Sequence, residues 1–217
     1  GNGTDNLSSI KQTSDGGYVL GGYSDSNISG DKTEISNGQE DYWIVKTDSL
    51  GAIQWQNTVG GSYDDELYYI EQTIDGGYIL GGSSRSGAGA DKTEGSRGME
   101  DYWIVKIDSN GNKEWDRSFG GTANDHLYKV QQTTDGGYIL GGLSSSGIGG
   151  DKIEDSRGYS DYWIVKVDIN GNKQWDKRFG GSEFEVLYAL QQTADGGYML
   201  GGESASGVGG DKTEDCH

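Results

Sequence analysis

The sequence predicts an all-β protein made of about four copies of one 60-residue unit, and the arrangement it favours is a β-propeller. Two observations support this prediction. The hexapeptide Asp-Tyr-Trp-Ile-Val-Lys begins at Asp41, Asp101 and Asp161, with no insertion between the copies. A second motif, Asp-Gly-Gly-Tyr, has the same period and begins at Asp15, Asp75, Asp135 and Asp195. Self-similarity at a fixed period is the signature of repeat architectures, in which neighbouring units bury each other's faces.

Each copy contains the signals of four short β-strands. In the third copy the first strand spans residues 127–133, alternates in polarity and ends at the turn Asp135-Gly136. The second strand, 138–140, leads through a long Gly-rich loop to a third strand, 162–167, which is rich in aromatic and β-branched residues. The turn Asn170-Gly171 then returns the chain into a fourth strand. Strands joined in this order form a four-stranded antiparallel meander.

The length of the repeat favours a β-propeller over a β-solenoid. Four-stranded propeller blades use about 40 to 50 residues and solenoid coils about 20 to 47, so this repeat fits a blade plus one long loop. A β-solenoid or an array of sandwiches is the alternative. The copies span residues 1–60, 61–120, 121–180 and 181–217, and the last lacks its third and fourth strands. We therefore expect a fragment of a larger propeller, or self-association through the open edge of the incomplete fourth blade.

The composition excludes several classes of function. The chain carries 35 acidic and 17 basic residues, a formal net charge of -18, so nucleic acid is not an expected partner, because phosphate binding depends on Lys and Arg. The 14 Tyr and 6 Trp residues predict a folded rather than a disordered chain. No apolar run approaches the roughly 18 residues that a membrane helix needs, so we expect no membrane insertion. A single cysteine, Cys216, excludes an intrachain disulfide.

The loop between the second and third strands is the first candidate site. It carries an Asp-x-x-Glu motif in every copy, and carboxylate oxygens in a Gly-rich loop are suitable ligands for Ca²⁺. These candidate calcium ligands are Asp31, Glu34, Asp91, Glu94, Asp151, Glu154, Asp211 and Glu214. The alternative is structural, with the acids capping turns and pairing with the lysine inside each motif. The sequence predicts no cofactor other than calcium.

The connection between successive copies is the second candidate site, because in a four-stranded blade it lies on the same face as that loop. Its acids Asp65 and Asp125 are candidate binding residues. Loop aromatics that differ between copies are further candidates, namely Tyr63, Tyr159 and Phe184. Because exposed aromatic rings stack well on other flat or apolar surfaces, including sugars, we expect a glycan or a surface protein as the partner.

Signals for catalysis are weak. His126 and His217 do not recur between copies, and Cys216 has no histidine pattern that would activate it. Near-identical copies also offer equivalent environments, whereas a catalytic pair of acids needs pKa values that are pushed apart. We therefore predict a non-enzymatic protein. The alternative is a hydrolase of polysaccharides that uses acids such as Asp65 and Glu66.

Three phrases carry a resemblance to a known family. Gln-Thr-Thr-Asp-Gly-Gly-Tyr-Ile-Leu-Gly-Gly at 132–142, Gly-Asp-Lys-Thr-Glu at 210–214 and Asp-Tyr-Trp-Ile-Val-Lys at 161–166 resemble a repeat of large secreted proteins of Bacteroidota. Such proteins are often cargo of the type IX secretion system and are described as propeller-like. The resemblance implies an extracellular or cell-surface protein. Together with the acidic loops, it predicts a binding or adhesion module, with a structural subunit of an extracellular fibre, joined through the open sheet edge, as the alternative.

Overall fold

The computed structural model describes residues 1–215, so Cys216 and His217 lie outside the described residues. All fourteen regular elements in this range are β-strands, and no helix there is long and apolar enough to cross a membrane. The strands are β1 (Asp5–Gln12), β2 (Tyr18–Ser24), β3 (Asp41–Thr47), β4 (Ile53–Val59), β5 (Asp65–Gln72), β6 (Tyr78–Ser84), β7 (Asp101–Ile107), β8 (Lys113–Phe119), β9 (Asp125–Gln132), β10 (Tyr138–Ser144), β11 (Asp161–Val167), β12 (Lys173–Phe179), β13 (Glu185–Gln192) and β14 (Tyr198–Ser204).

The strands form three four-stranded antiparallel sheets and one two-stranded sheet. Their orders are β1-β2-β3-β4, β5-β6-β7-β8, β9-β10-β11-β12 and β13-β14. Each four-stranded sheet is therefore a meander in which every strand pairs with its neighbours in the chain. The predicted all-β class and the four-stranded antiparallel unit are both confirmed.

The Asp-Gly-Gly turn fixes the first hairpin of each copy. Gly16 has a φ of 83°, a left-handed conformation that favours glycine, and Gly17 N donates to the Asp15 side chain at 3.0 Å. Lys46, on the third strand of the same sheet, places its Nζ 2.8 Å from Asp15 Oδ2. The third strand is thus attached to the turn between the first two strands. The same ion pair recurs in Lys106–Asp75 and Lys166–Asp135.

The chain divides into two compact units, and the first comprises Gly1–Ser96 and Trp103–Ser118. In it the sheet of β1–β4 packs face to face against the next sheet. Ile44 and Leu67 belong to one core cluster with Trp103, and all three are fully buried. A Cβ placed on Gly21 would lie only 2.7 Å from Leu67 Cδ2, so the glycine permits this close approach.

The second unit, Arg97–Tyr102 and Phe119–His217, repeats this packing between the sheet of β9–β12 and the pair β13–β14. Ile139 and Ile164 form a core cluster with Leu187 and Leu190. A Cβ on Gly141 would lie 2.6 Å from Leu187 Cδ2, which is the counterpart of the contact at Gly21. In both units, therefore, successive sheets pack through equivalent surfaces, with a glycine of one sheet against a leucine of the next.

Candidate functional site

The aspartates of the Asp-x-x-Glu loops reach back to the end of the preceding copy. Asp91 N donates to Gly60 O at 3.2 Å, while Gly60 N donates to Asp91 Oδ2 at 3.3 Å. The same reciprocal pair of bonds joins Asp151 to Gly120 and Asp211 to Gly180. The loop between the second and third strands and the connection between copies are therefore neighbours, and the aspartate holds them together.

A residue from the preceding loop also contacts each of these aspartates. Asn37 Nδ2 donates to Asp91 Oδ2 at 2.9 Å, and Arg97 lies 2.8 Å from Asp151. Arg157 forms the third contact, 2.6 Å from Asp211. Burial is the largest single influence and raises the pKa of Asp211, but the hydrogen bonds from Arg157 and Gly180 N and the charges of Arg157 and Arg178 together keep that pKa below its usual value. Successive loops are thus cross-linked by side chains.

The glutamates of the Asp-x-x-Glu motifs, and the aspartate of the first motif, Asp31, are less enclosed than the other three aspartates. Glu34 Oε2 accepts from Thr58 N at 2.6 Å, and Glu154 lies 2.9 Å from Lys177 Nζ. Asp31 and Glu214 are exposed, and Glu94 is half-buried. Within residues 1–215 no group of three or more His, Cys, Asp or Glu side chains is placed to hold a metal ion. Calcium binding by these eight acids therefore stays a prediction.

The lysine inside each of the first three loops, Lys32, Lys92 or Lys152, is buried beneath its loop. Lys152 Nζ donates to Ser144 Oγ at 2.8 Å, Ser146 O at 2.7 Å and Ser156 Oγ at 2.6 Å. Burial is the main influence on Lys152 and lowers its pKa. The lysine is therefore an anchor for the base of the loop, and its hydrogen bonds go to serine and backbone oxygens.

The acids of the connection lie inside the protein. Asp65 and Asp125 are both fully buried. Asp65 accepts from Gly61 N at 2.6 Å and Ser86 Oγ at 2.9 Å, and Asp125 makes the equivalent two bonds. Burial raises the pKa of both carboxyls. Neither carboxylate is presented to a surface ligand, in contrast to their predicted place on the binding face, because hydrogen bonds turn both inward beneath the loop. Glu66, the other acid of the hydrolase hypothesis, accepts from the Tyr68 hydroxyl.

Asp41 is a buried acid that the sequence analysis did not single out. Its Oδ2 accepts from Asn37 N, while its Oδ1 is buried with no hydrogen-bond partner among residues 1–215. Burial, reinforced by the charge of Asp65, raises the pKa of Asp41 to about 7. The available signal was its position at the start of the repeated hexapeptide, because an acid begins the third strand of each complete copy and all three of these acids are buried.

Tyr159 and Phe184 form an exposed pair of stacked aromatic rings in the second unit. Their ring centroids are 4.7 Å apart with an interplanar angle of 15°, and the residues are 63% and 55% exposed. Backbone bonds hold both segments, since Tyr159 N donates to Glu183 O at 3.0 Å and Ala205 N donates to Phe184 O at 2.8 Å. Two predicted binding residues are thus brought together on a rigid base. Tyr63 is 56% exposed and belongs to the first unit.

No family model matches the chain. A segment of 119 residues is 28% identical to the regulatory protein FlaEY of Caulobacter vibrioides. This match covers 52% of the present chain and 12% of that protein, so the chain corresponds to a small part of its relative.

Proposed function

We propose that this chain is a non-enzymatic binding module of an extracellular or cell-surface protein, with its repeats arranged as the blades of a β-propeller. Two structural features support the propeller. Each complete copy of the repeat is a four-stranded antiparallel meander, which is the usual propeller blade. Successive sheets within each unit also meet through equivalent faces, Gly21 against Leu67 and Gly141 against Leu187, as radial repetition requires.

The stacked rings of Tyr159 and Phe184 carry the binding proposal. Rigid, solvent-exposed aromatic side chains contribute strongly to binding because they offer a large contact area and lose little conformational entropy. Backbone hydrogen bonds on both segments keep this pair in place before a ligand arrives. A pyranose ring or a flat apolar side chain of a surface protein matches such a platform.

A glycan array followed by titration tests this function. The double variant Tyr159→Ala/Phe184→Ala is expected to lose at least tenfold in affinity for the glycan that binds, because two exposed ring contacts of about 1 kcal/mol each are removed. Leu50→Ala is the matched control, because Leu50 is 92% exposed and lies on a hairpin turn of the first unit. Repeating the array with a chelator tests the calcium prediction. An array with no binding in either buffer, or binding that the double variant retains, would refute the proposal.

A further inference from the structure

The contact between the loops of the first and second copies differs from its counterparts later in the chain. In the second unit, Arg97 Nη1 lies 2.8 Å from Asp151 Oδ2, and the next copy repeats this ion pair. In the first unit the arginine position holds Asn37, whose Nδ2 donates to Asp91 Oδ2 at 2.9 Å. A neutral amide therefore replaces a guanidinium group beside an equivalent carboxylate.

The Asp91 carboxylate has no cationic partner within residues 1–215. Asn37 Nδ2 and Gly60 N both donate to its Oδ2, while Asp91 Oδ1 and Asn37 Oδ1 accept no hydrogen bond in the part of the chain that the structure describes. Lys113 Nζ donates to the backbone oxygen of Asp91, and Lys173 makes the same bond in the next copy, so this lysine does not replace the arginine. Two acceptor oxygens are thus left for a donor from outside.

A cavity of about 180 Å³ lies beside this contact. It is lined by Asn37, Gly61, Ser62 and residues 87–90, all of which belong to the first unit. The volume is far larger than one water molecule requires. None of the lining side chains is larger than an amide, so backbone groups form much of the wall. Such a wall offers hydrogen-bond acceptors to a small polar cation.

Ala90 shows why the chain does not fill this cavity with an arginine of its own. The equivalent position in the next copy is Gly150, where a Cβ would lie 3.1 Å from Arg97 Cδ. Ala90 has a φ of 47°, in the left-handed region that favours glycine. Its methyl group stands where the stem of an arginine at position 37 would run, whereas a cation that enters from solvent needs no stem there.

The repeat itself indicates which chemical group fits beside this aspartate, because a guanidinium occupies the equivalent place in the second unit. We propose that Asp91, Asn37 and residues 87–90 form a binding site for a guanidinium group. This group is planar, carries five N–H donors and no acceptor, and suits one fixed negative charge surrounded by oxygen atoms. The net charge of -18 raises the local concentration of cations. The site is separate from the stacked rings of Tyr159 and Phe184 and adds a second class of ligand.

Two-dimensional NMR of the isotope-labelled chain, titrated with methylguanidinium chloride, tests the site residue by residue. We expect saturable shifts of the backbone amides of residues 87–90, Gly61 and Ser62. The equivalent residues 147–150 should not respond, because Arg97 already holds the aspartate there. Sodium chloride at the same ionic strength corrects for the effect of salt. Absence of saturable shifts at 87–90, or equal shifts at 147–150, would overturn the proposal.

An arginine placed in the chain should occlude the site. The double variant Asn37→Arg/Ala90→Gly recreates the pairing of Arg97 with Gly150, so we expect it to fold, and the glycine suits the positive φ at position 90. Its affinity for methylguanidinium should fall by at least about tenfold because its own guanidinium competes for Asp91. Unchanged affinity in this variant would place the ligand elsewhere and overturn the proposal.

Removal of the charge is the second test of the same site. Asp91→Asn keeps an oxygen that can accept from Gly60 N and should weaken binding about tenfold, because hydrogen bonds to charged groups are the stronger ones. Asp151→Asn is the matched control, since it makes the same change where the chain supplies an arginine, and it should leave the affinity unchanged. Equal effects of the two variants would contradict the assignment to Asp91.

Blocked tripeptides identify the source of the guanidinium. If the ligand is an arginine side chain of a partner polypeptide, Gly-Arg-Gly should bind roughly fivefold or more tightly than methylguanidinium, because the backbone of the peptide adds contacts. Equal affinity would support the site and assign it to small guanidinium compounds. Gly-Lys-Gly should bind more weakly than Gly-Arg-Gly, because an ammonium group cannot form the two-pronged contact. Equal affinity of the two tripeptides would overturn the preference for guanidinium.

Discussion

Replacing Asp41 with Asn is expected to stabilise the protein above pH 7 and to change its stability little below pH 4. Asp41 is fully buried, and its Oδ1 has no hydrogen-bond partner in the part of the chain that the structure describes. Burial and the nearby Asp65 raise its pKa to about 7, against the opposing effects of hydrogen bonds from backbone N–H groups and of Lys32. An asparagine keeps an oxygen that can accept from Asn37 N and removes the charge that the carboxylate of Asp65 repels.

The magnitude follows from the difference between the folded and unfolded pKa values. The ordinary value is 3.8 and the folded value is about 7, and each pKa unit corresponds to 1.36 kcal/mol, so ionisation of Asp41 costs about 4 kcal/mol at most. Because the pKa of Asp41 is higher in the folded state, its contribution to the free energy of unfolding is fully present below pH 3.8 and is lost as pH rises through about 7. Asparagine does not titrate. The free energy of unfolding of Asp41→Asn, relative to wild type, therefore rises across this pH window and is constant above it.

Guanidinium denaturation of both proteins at pH 4, 5, 6, 7 and 8 measures this effect. We expect the free energy of unfolding of Asp41→Asn, relative to wild type, to rise by several kcal/mol between pH 4 and pH 8. Asp15→Asn is the control, because Asp15 is exposed and its bond to Lys46 holds its pKa below the usual range, so it should show no such rise. A difference between Asp41→Asn and wild type that is independent of pH would show that the Asp41 carboxyl stays ionised.

Two further predictions concern the faces between successive sheets. Leu67→Ala should destabilise the protein by about 2 to 5 kcal/mol because Leu67 is fully buried, whereas Leu7→Ala at the equivalent repeat position should change stability by less than about 0.5 kcal/mol. Gly141→Ala should cost about 1 to 3 kcal/mol because its Cβ would lie 2.6 Å from Leu187 Cδ2, while Gly201→Ala, whose Cβ would lie 3.6 Å from its nearest neighbour, should be tolerated. Thermal and chemical denaturation measure both pairs, and equal costs within a pair would contradict the assigned packing.

The strands and turns of the repeat could be predicted from the sequence because their signals are local. Asp15-Gly16-Gly17 specifies a hairpin wherever it occurs, and the four-stranded unit follows from the order of such turns. The environment of the acids could not be predicted in this way. Asp65 is buried by its bonds to Gly61 N and Ser86 Oγ, and Ser86 is distant in sequence. A carboxylate in a Gly-rich polar loop has the same local sequence whether it faces solvent or the interior.

The exposed aromatic residues show the same difference between local features, which the sequence predicts, and contacts between distant segments, which it does not. Tyr159 and Phe184 were both recognisable as loop aromatics, but their stacking depends on the bridge between Ser160 and Phe184, which joins two segments far apart in the chain. The sequence therefore identifies both residues but does not predict that their rings stack. The repeat period could have related each residue to its counterparts, but it carries no information on which positions of different segments meet.

The stoichiometry of binding separates a repeated site from a unique one. One repeat earlier in the chain, the positions equivalent to Tyr159 and Phe184 hold Met99 and Asn124, so neither aromatic ring is present there, whereas the acids of the loops recur. A ligand that uses the stacked rings should therefore bind once per chain, and calcium bound by the Asp-x-x-Glu loops should bind several times. Calorimetric titration distinguishes these cases. More than one glycan per chain would assign recognition to the repeated loops, because the equivalent positions one repeat earlier carry no aromatic ring.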